Sequence, residues 1–160
     1  YSMELEKVIY ERMGYPSNKG GFEKAFSEFL DRDASVERFL KINENQHRFA
    51  SLFYIREDGL LASYHPDFMV CTDNKVYIIE TKGDDKVLDK NVQRKKLATV
   101  EWCKKINQLD EENRMNRTWE YVLLSETSFY ALARSGATLE EICALNKVSM
   151  SESSGRLFEE

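Results

Sequence analysis

Apolar positions along the chain change period several times, and each change marks an element. After Gly20-Gly21, the residues Phe22, Ala25, Phe26, Phe29 and Leu30 recur at three- and four-residue intervals, the spacing that gives a helix one apolar face. Residues 31–35 interrupt this pattern. Val36, Phe39, Leu40 and Ile42 resume it, so the spacing predicts a short helical continuation, with Asn43-Glu44-Asn45 as the loop after it. Residues 47–55 turn aromatic and branched, and Asp58-Gly59 supplies a hairpin turn that ends a strand. Leu60-Leu61-Ala62 and Tyr64 lead into an extended run over 66–72, where Pro66 is acceptable only at a strand's start. Val76 to Lys82 is another strand, closed by Gly83, and the three strands follow in meander order.

Residues 84–89 are polar and read as a loop. A helix is predicted from Asn91 to about Gln108, with Val92, Val100, Cys103 and Ile106 near one face and lysines on another. The charged stretch 110–117 is a loop, and 119–124 a strand. Thr138-Leu139-Glu140-Glu141 has the capping-box form and opens a short helix through Leu145. The order α, β, β, β, α, β, α predicts a mixed sheet of about four to five strands flanked by helices, an α/β chain of α+β character. Residues 1–19 are expected to be an N-terminal segment or linker, 20–147 the globular domain and 148–160 a frayed tail.

Composition agrees with one core: 160 residues, 42% of them apolar, are enough for a single domain that folds alone. The formal charge of -5 excludes a protein that grips nucleic acid by overall charge. Positive charge is nevertheless concentrated locally, at Lys86, Lys90, Arg94, Lys95, Lys96, Lys104 and Lys105. The three cysteines form neither a disulfide framework nor a metal spacing, so a reducing compartment is expected. No apolar stretch approaches the ~20 residues of a membrane span and no signal peptide opens the chain, so no membrane partner and a cytoplasmic location are expected. The chain begins Tyr1-Ser2-Met3 and not with an initiating Met, which fits either the cut end of a longer polypeptide or a few added leading residues, so fragment and complete protein both stay open.

The chemistry-bearing segment is Pro66-Asp67, then twelve residues, then Glu80-Thr81-Lys82. With Asp73-Asn74 as a hairpin turn, Thr72 pairs with Lys75, and Asp67 falls opposite Glu80 in the same register. Opposed residues share a face with Cβ atoms ~5 Å apart, and period two puts Lys82 on that face. Two carboxylates this close repel unless a divalent cation lies between them. Asp67, Glu80 and the backbone carbonyl of Thr81 would supply the hard oxygen ligands that Mg²⁺ takes, with water and a phosphate oxygen completing the shell. Lys82 would then orient or deprotonate an attacking water, or steady charge on the phosphate. Either role suits a lysine whose pKa its neighbours have lowered. The blander reading is a hairpin whose solvent face carries a cross-strand ion pair.

The run 66–70 together with 76–83 resembles the PD-(D/E)xK nuclease signature, in the form carried by the C-terminal endonuclease domain of type III restriction enzyme Res subunits. Gly21-Phe22-Glu23 before a helix, the Val-x-x-Phe-x-Lys spacing from Val36 to Lys41, and a helix carrying Lys96, Ala98 and Trp102-Cys103 extend the resemblance over roughly residues 20 to 125. It implies a restriction-endonuclease-like fold and Mg²⁺-dependent endonucleolytic hydrolysis of DNA leaving 5′-phosphate ends, with Mn²⁺ able to substitute. Asp67 and Glu80 would be metal ligands and Lys82 the third catalytic member. It also implies a first-helix acid, for which Glu23 is the match; alternatively Glu23 only complements the helix dipole.

Gln93 is a candidate for holding a phosphate or a metal-associated water, or is a solvated helix residue. Lys90, Arg94, Lys95 and Lys96 are candidate DNA contacts or an ordinary charged face. His47, His65, Tyr64, Trp102 and Trp119 are assigned no chemistry. A type III enzyme also carries a motor, but no P-loop occurs here, so ATP is not bound by this chain. Expected partners are DNA, a helicase or translocase domain of the same polypeptide, a modification subunit and a second copy as a homodimer. Two alternatives stay open: a repair, junction-resolving, phage or transposition nuclease of the same fold, and a catalytically silent DNA-docking module.

Overall fold

A computed structural model of the chain describes residues 2–10, 13–14 and 21–148; nearly all of the expected tail lies outside them. Strands β1 (Ser2–Met3) and β2 (Met13–Gly14) pair with each other. Helix α1 (Gly21–Arg32) buries Phe26 and Leu30, as its spacing predicts. Arg38–Lys41 follows, and it is strand β3 rather than a helical continuation. Glu37 N donates to Cys71 O and Ile42 N to Asp67 O, so the segment gains its hydrogen bonds from a neighbouring strand. Spacing at three and four over so few residues cannot distinguish a turn of helix from a strand with both faces covered.

Strands β4 (Leu52–Ile55) and β5 (Leu61–Tyr64) form a hairpin around Gly59, whose φ of +83° is the left-handed conformation such a turn requires. They make a separate two-stranded sheet, so the expected three-strand meander is corrected. Pro66 interrupts the extended chain, because it has no N–H to give a ladder. Strands β6 (Phe68–Cys71) and β7 (Lys75–Lys82) form the second hairpin. Helix α2 (Lys90–Asn107) is capped by Asp89 Oδ1, and β8 (Thr118–Ser125) then pairs parallel to β7.

Helix α3 (Glu126–Arg134), absent from the element order read from the sequence, follows at once with Ser125 as its N-cap. Gly136, at φ +83°, lies just past its end. Helix α4 (Leu139–Asn146) carries the expected capping box between Thr138 and Glu141. The main sheet is mixed and four-stranded, in the order β3-β6-β7-β8.

Two cores flank that sheet. On one face Phe26 and Leu30 of α1, Phe129 of α3 and Leu139, Ile142 and Cys143 of α4 pack on Phe39, Phe68, Val70, Tyr77, Ile79, Val122 and Leu124. On the other, Val100 and Cys103 of α2 cover Cys71, Val76, Ile78, Trp119 and Tyr121. Fully buried on both faces, β7 reads as a nearly continuous apolar run, and the Glu80 that interrupts it is 3% exposed. Residues Lys7 and Ile9, within the expected linker, bond to Phe39 at the sheet's edge.

Candidate active site

The hairpin register decides which side chains meet. Phe68 pairs with Ile79 and Thr72 N donates to Lys75 O at 2.9 Å, so the register is the one the two-residue turn predicts. One step past Phe68, Asp67 comes opposite Glu80, and Pro66 comes opposite Thr81. Lacking an N–H, Pro66 offers no ladder donor to the Thr81 carbonyl, which the strand pleat directs toward that side. Thr81 turns to Asp67 instead: its N–H and its hydroxyl both donate to Asp67 Oδ2, at 2.7 and 2.8 Å. Asp67 is also held from behind, since its carbonyl accepts from Ile42 N at 2.7 Å.

Glu80 lies on the α2 face of β7, two residues from Ile78, and Lys82 shares that face at the strand's C-terminal end. Lys82 Nζ contacts Glu80 Oε1 at 2.7 Å. The other oxygen, Oε2, is buried and has no hydrogen-bond partner. Burial, and then the charge of Asp67, push the Glu80 carboxyl up to about 7; Lys82 and Lys95 oppose the rise without cancelling it. Burial likewise raises Asp67 despite Lys82 and the two Thr81 bonds, and Glu23 adds to the rise.

Burial alone would lower the Lys82 ammonium, but Glu80 and Asp67 outweigh it and hold Lys82 above its ordinary value. This corrects the expectation of a lowered lysine. Its nearest neighbours are anions, which favour the charged form. Two carboxylates share this one ammonium, so Glu80, the more deeply buried, is left the less well compensated.

Glu23 lies near the trio, its charge reaching both Asp67 and Lys82, but its Oε2 is engaged by Lys41 Nζ at 2.8 Å. Among the described residues no three His, Cys, Asp or Glu side chains assemble into a metal-holding group. The oxygen donors on offer are therefore two carboxylates and a carbonyl. Gln93 turns its amide Nε2 onto Val87 O at 2.6 Å, and so braces the loop before its own helix. Lys90 Nζ pairs with Glu57 at 2.9 Å on the surface. Arg94 and Lys96 are half-buried on α2.

Lys95 differs from these. Its Nζ lies 5.2 Å from the Tyr64 ring and 5.7 Å from the Tyr54 ring, and its charge acts on Glu80. Lys41 and the tyrosines were assigned no chemistry from sequence. A signal was present for Lys41 in the Val-x-x-Phe-x-Lys spacing, and for Tyr121 in the period-two run Trp119, Tyr121, Leu123 that places it on Glu80's face. A separate cleft of about 390 Å³, lined by Tyr10, Leu40, Lys41, Gln46 and His47 among others, contains none of the Asp67, Glu80 and Lys82 side chains. The trio thus gathers at the C-terminal end of the central strand β7, outside this cleft.

No protein-family model, no curated protein and no solved structure matches the chain.

Proposed function

We propose that the chain is a metal-dependent endodeoxyribonuclease domain of restriction-endonuclease-like fold, the nuclease part of a type III restriction Res subunit or a related helicase–nuclease. The observation that carries this reading is the opposition of Asp67 and Glu80 on a hairpin, with Glu80 Oε2 buried and unpartnered. Two facing carboxylates, both desolvated by burial, cost free energy that a hydrophobic pair would not. A divalent cation offsets that cost. The donor set fits Mg²⁺: all oxygens, few in number, with the Thr81 carbonyl free of its ladder donor, leaving room for water and a phosphate.

Asp67, Glu80 and the Thr81 carbonyl would hold the ion. When bound, it would act as a Lewis acid toward the scissile phosphate. Thr81 fixes the Asp67 carboxylate through two hydrogen bonds. Lys82, kept charged by both carboxylates, serves to steady negative charge on the phosphate in preference to acting as a base. Lys95, clamped between two tyrosines, presents a fixed cation to the DNA backbone. Lys41 restrains Glu23 beside the trio.

One observation favours the silent docking module: Lys41, Lys82 and Lys95 match Glu23, Asp67 and Glu80 in number, so the cluster is formally neutral without a metal. Cleavage of supercoiled plasmid with Mg²⁺, Mn²⁺ or EDTA separates the two. The nuclease nicks only with metal, and Asp67→Ala and Lys82→Ala each reduce nicking by at least a hundredfold. No cutting, together with no Mn²⁺ binding by calorimetry, is the result that leaves the docking module standing.

A further inference from the structure

Glu80 and Tyr121 stand on neighbouring parallel strands and on the same face of the sheet. Glu80 is in register with Leu123 and Ile78 with Tyr121, so Tyr121 is diagonal to Glu80 under the cover of α2. Among the described residues, Glu80 Oε2 and Tyr121 Oη are two of the five buried side-chain atoms without a hydrogen-bond partner. Tyr64, the other tyrosine in the same electrostatic neighbourhood, is satisfied, since its hydroxyl donates to Lys95 O at 3.2 Å.

A buried hydroxyl left unpaired keeps the cost of its lost hydration with no bond to offset it. Phenylalanine would fill the Tyr121 position without that cost, so the hydroxyl calls for an explanation beyond packing. Burial, followed by the charges of Tyr64, Glu80 and Asp67, keeps the phenol protonated and hence a donor. An acceptor without a donor and a donor without an acceptor therefore lie on one face of adjacent strands, within electrostatic reach of each other. Ordered water resolves such pairs when at least two polar groups can hold it.

We propose that Tyr121 is a positioning residue for the candidate active site: its hydroxyl and Glu80 Oε2 share one ordered water, which fixes the Glu80 carboxylate while Lys82 holds Oε1. Each carboxylate oxygen accepts in two directions, so both remain able to face a cation. The inference rests on the metal-binding reading of the site. Partners of this kind that orient a ligand change metal affinity ten- to a hundredfold when removed.

The test is Mn²⁺ titration by calorimetry of the wild-type chain, Tyr121→Phe and, as a control, Tyr77→Phe, a buried tyrosine on the opposite face. Thermal melts in EDTA accompany each. We expect Tyr121→Phe to melt no lower than wild type yet bind Mn²⁺ about tenfold more weakly, with Tyr77→Phe binding as wild type does. A Tyr121→Phe affinity within twofold of wild type overturns the proposal and leaves the metal site standing. Equal losses in both variants mark a packing effect and overturn it too. A wild-type chain that binds no Mn²⁺ removes the metal reading and this inference together.

Discussion

The Glu80 carboxyl is the residue on which the chemistry of the site turns. Its folded value of about 7 lies above its ordinary 4.5, so between those values the folded state binds more protons than the unfolded one. Stability contributed by this group is therefore greatest at acid pH and declines as pH rises through that window. The full effect is on the order of 3 kcal/mol, at about 1.4 kcal/mol per tenfold change in proton affinity. Urea unfolding in EDTA should accordingly show the Glu80→Gln chain more stable than wild type at pH 8, with the difference shrinking toward pH 5. An unchanged difference across that range would mean that Glu80 is not the group that titrates. Lys82 does not blur this window, because its raised value keeps it charged throughout. Metal affinity should rise with pH over the same interval, since the ion needs the deprotonated carboxyl.

At the scale of elements, local signals and tertiary pairing divide the work unevenly. The α4 start is local: Thr138 Oγ1 accepts from Glu141 N at 3.3 Å and Glu141 Oε2 from Thr138 N at 2.8 Å. Thr138→Ala should cost about 1 kcal/mol, a fall of about 2–4 °C in melting temperature that differential scanning calorimetry would read. A change below half a degree would show that the cap does not limit stability, although Leu139, Ile142 and Cys143 depend on α4 for burial. Helix α3 carried similar local signals in Ser125 and Gly136, but its polar opening Glu126-Thr127-Ser128 masked the apolar Phe129 and Tyr130 behind it. Strand β3 went the other way. Its spacing is that of a helix turn, and only the free edge of β6 makes it a strand.

For the whole molecule, the charge of -5 opposes association with DNA, and the fixed Lys95 sits in an otherwise mixed field. Binding by this chain alone should be weak, without sequence preference and strongly salt-dependent. Lys95→Ala should lower the slope of log affinity against log salt by about one in magnitude, as loss of one phosphate contact does. Fluorescence anisotropy on a labelled duplex from 50 to 200 mM salt, the range over which such contacts weaken, measures this. Tight site-specific binding would contradict the picture. No helix among the described residues is long and apolar enough to cross a membrane.

The sequence by itself determined what backbone period and turn chemistry control. The Asp73-Asn74 turn sets the β6–β7 register, and that register brings Asp67 opposite Glu80 and puts Lys82 on Glu80's face. The α1 face, the α2 span and the α4 cap follow equally from residues within a few positions of one another. Tertiary structure decided the rest: β3 as a strand, the Glu57–Lys90 and Glu23–Lys41 pairings, the Gln93 brace and the tyrosine clamp on Lys95. It also reversed the expected lysine shift. A charge's environment depends on how deeply distant elements bury it and which charges they bring near, and neither quantity is encoded in local spacing.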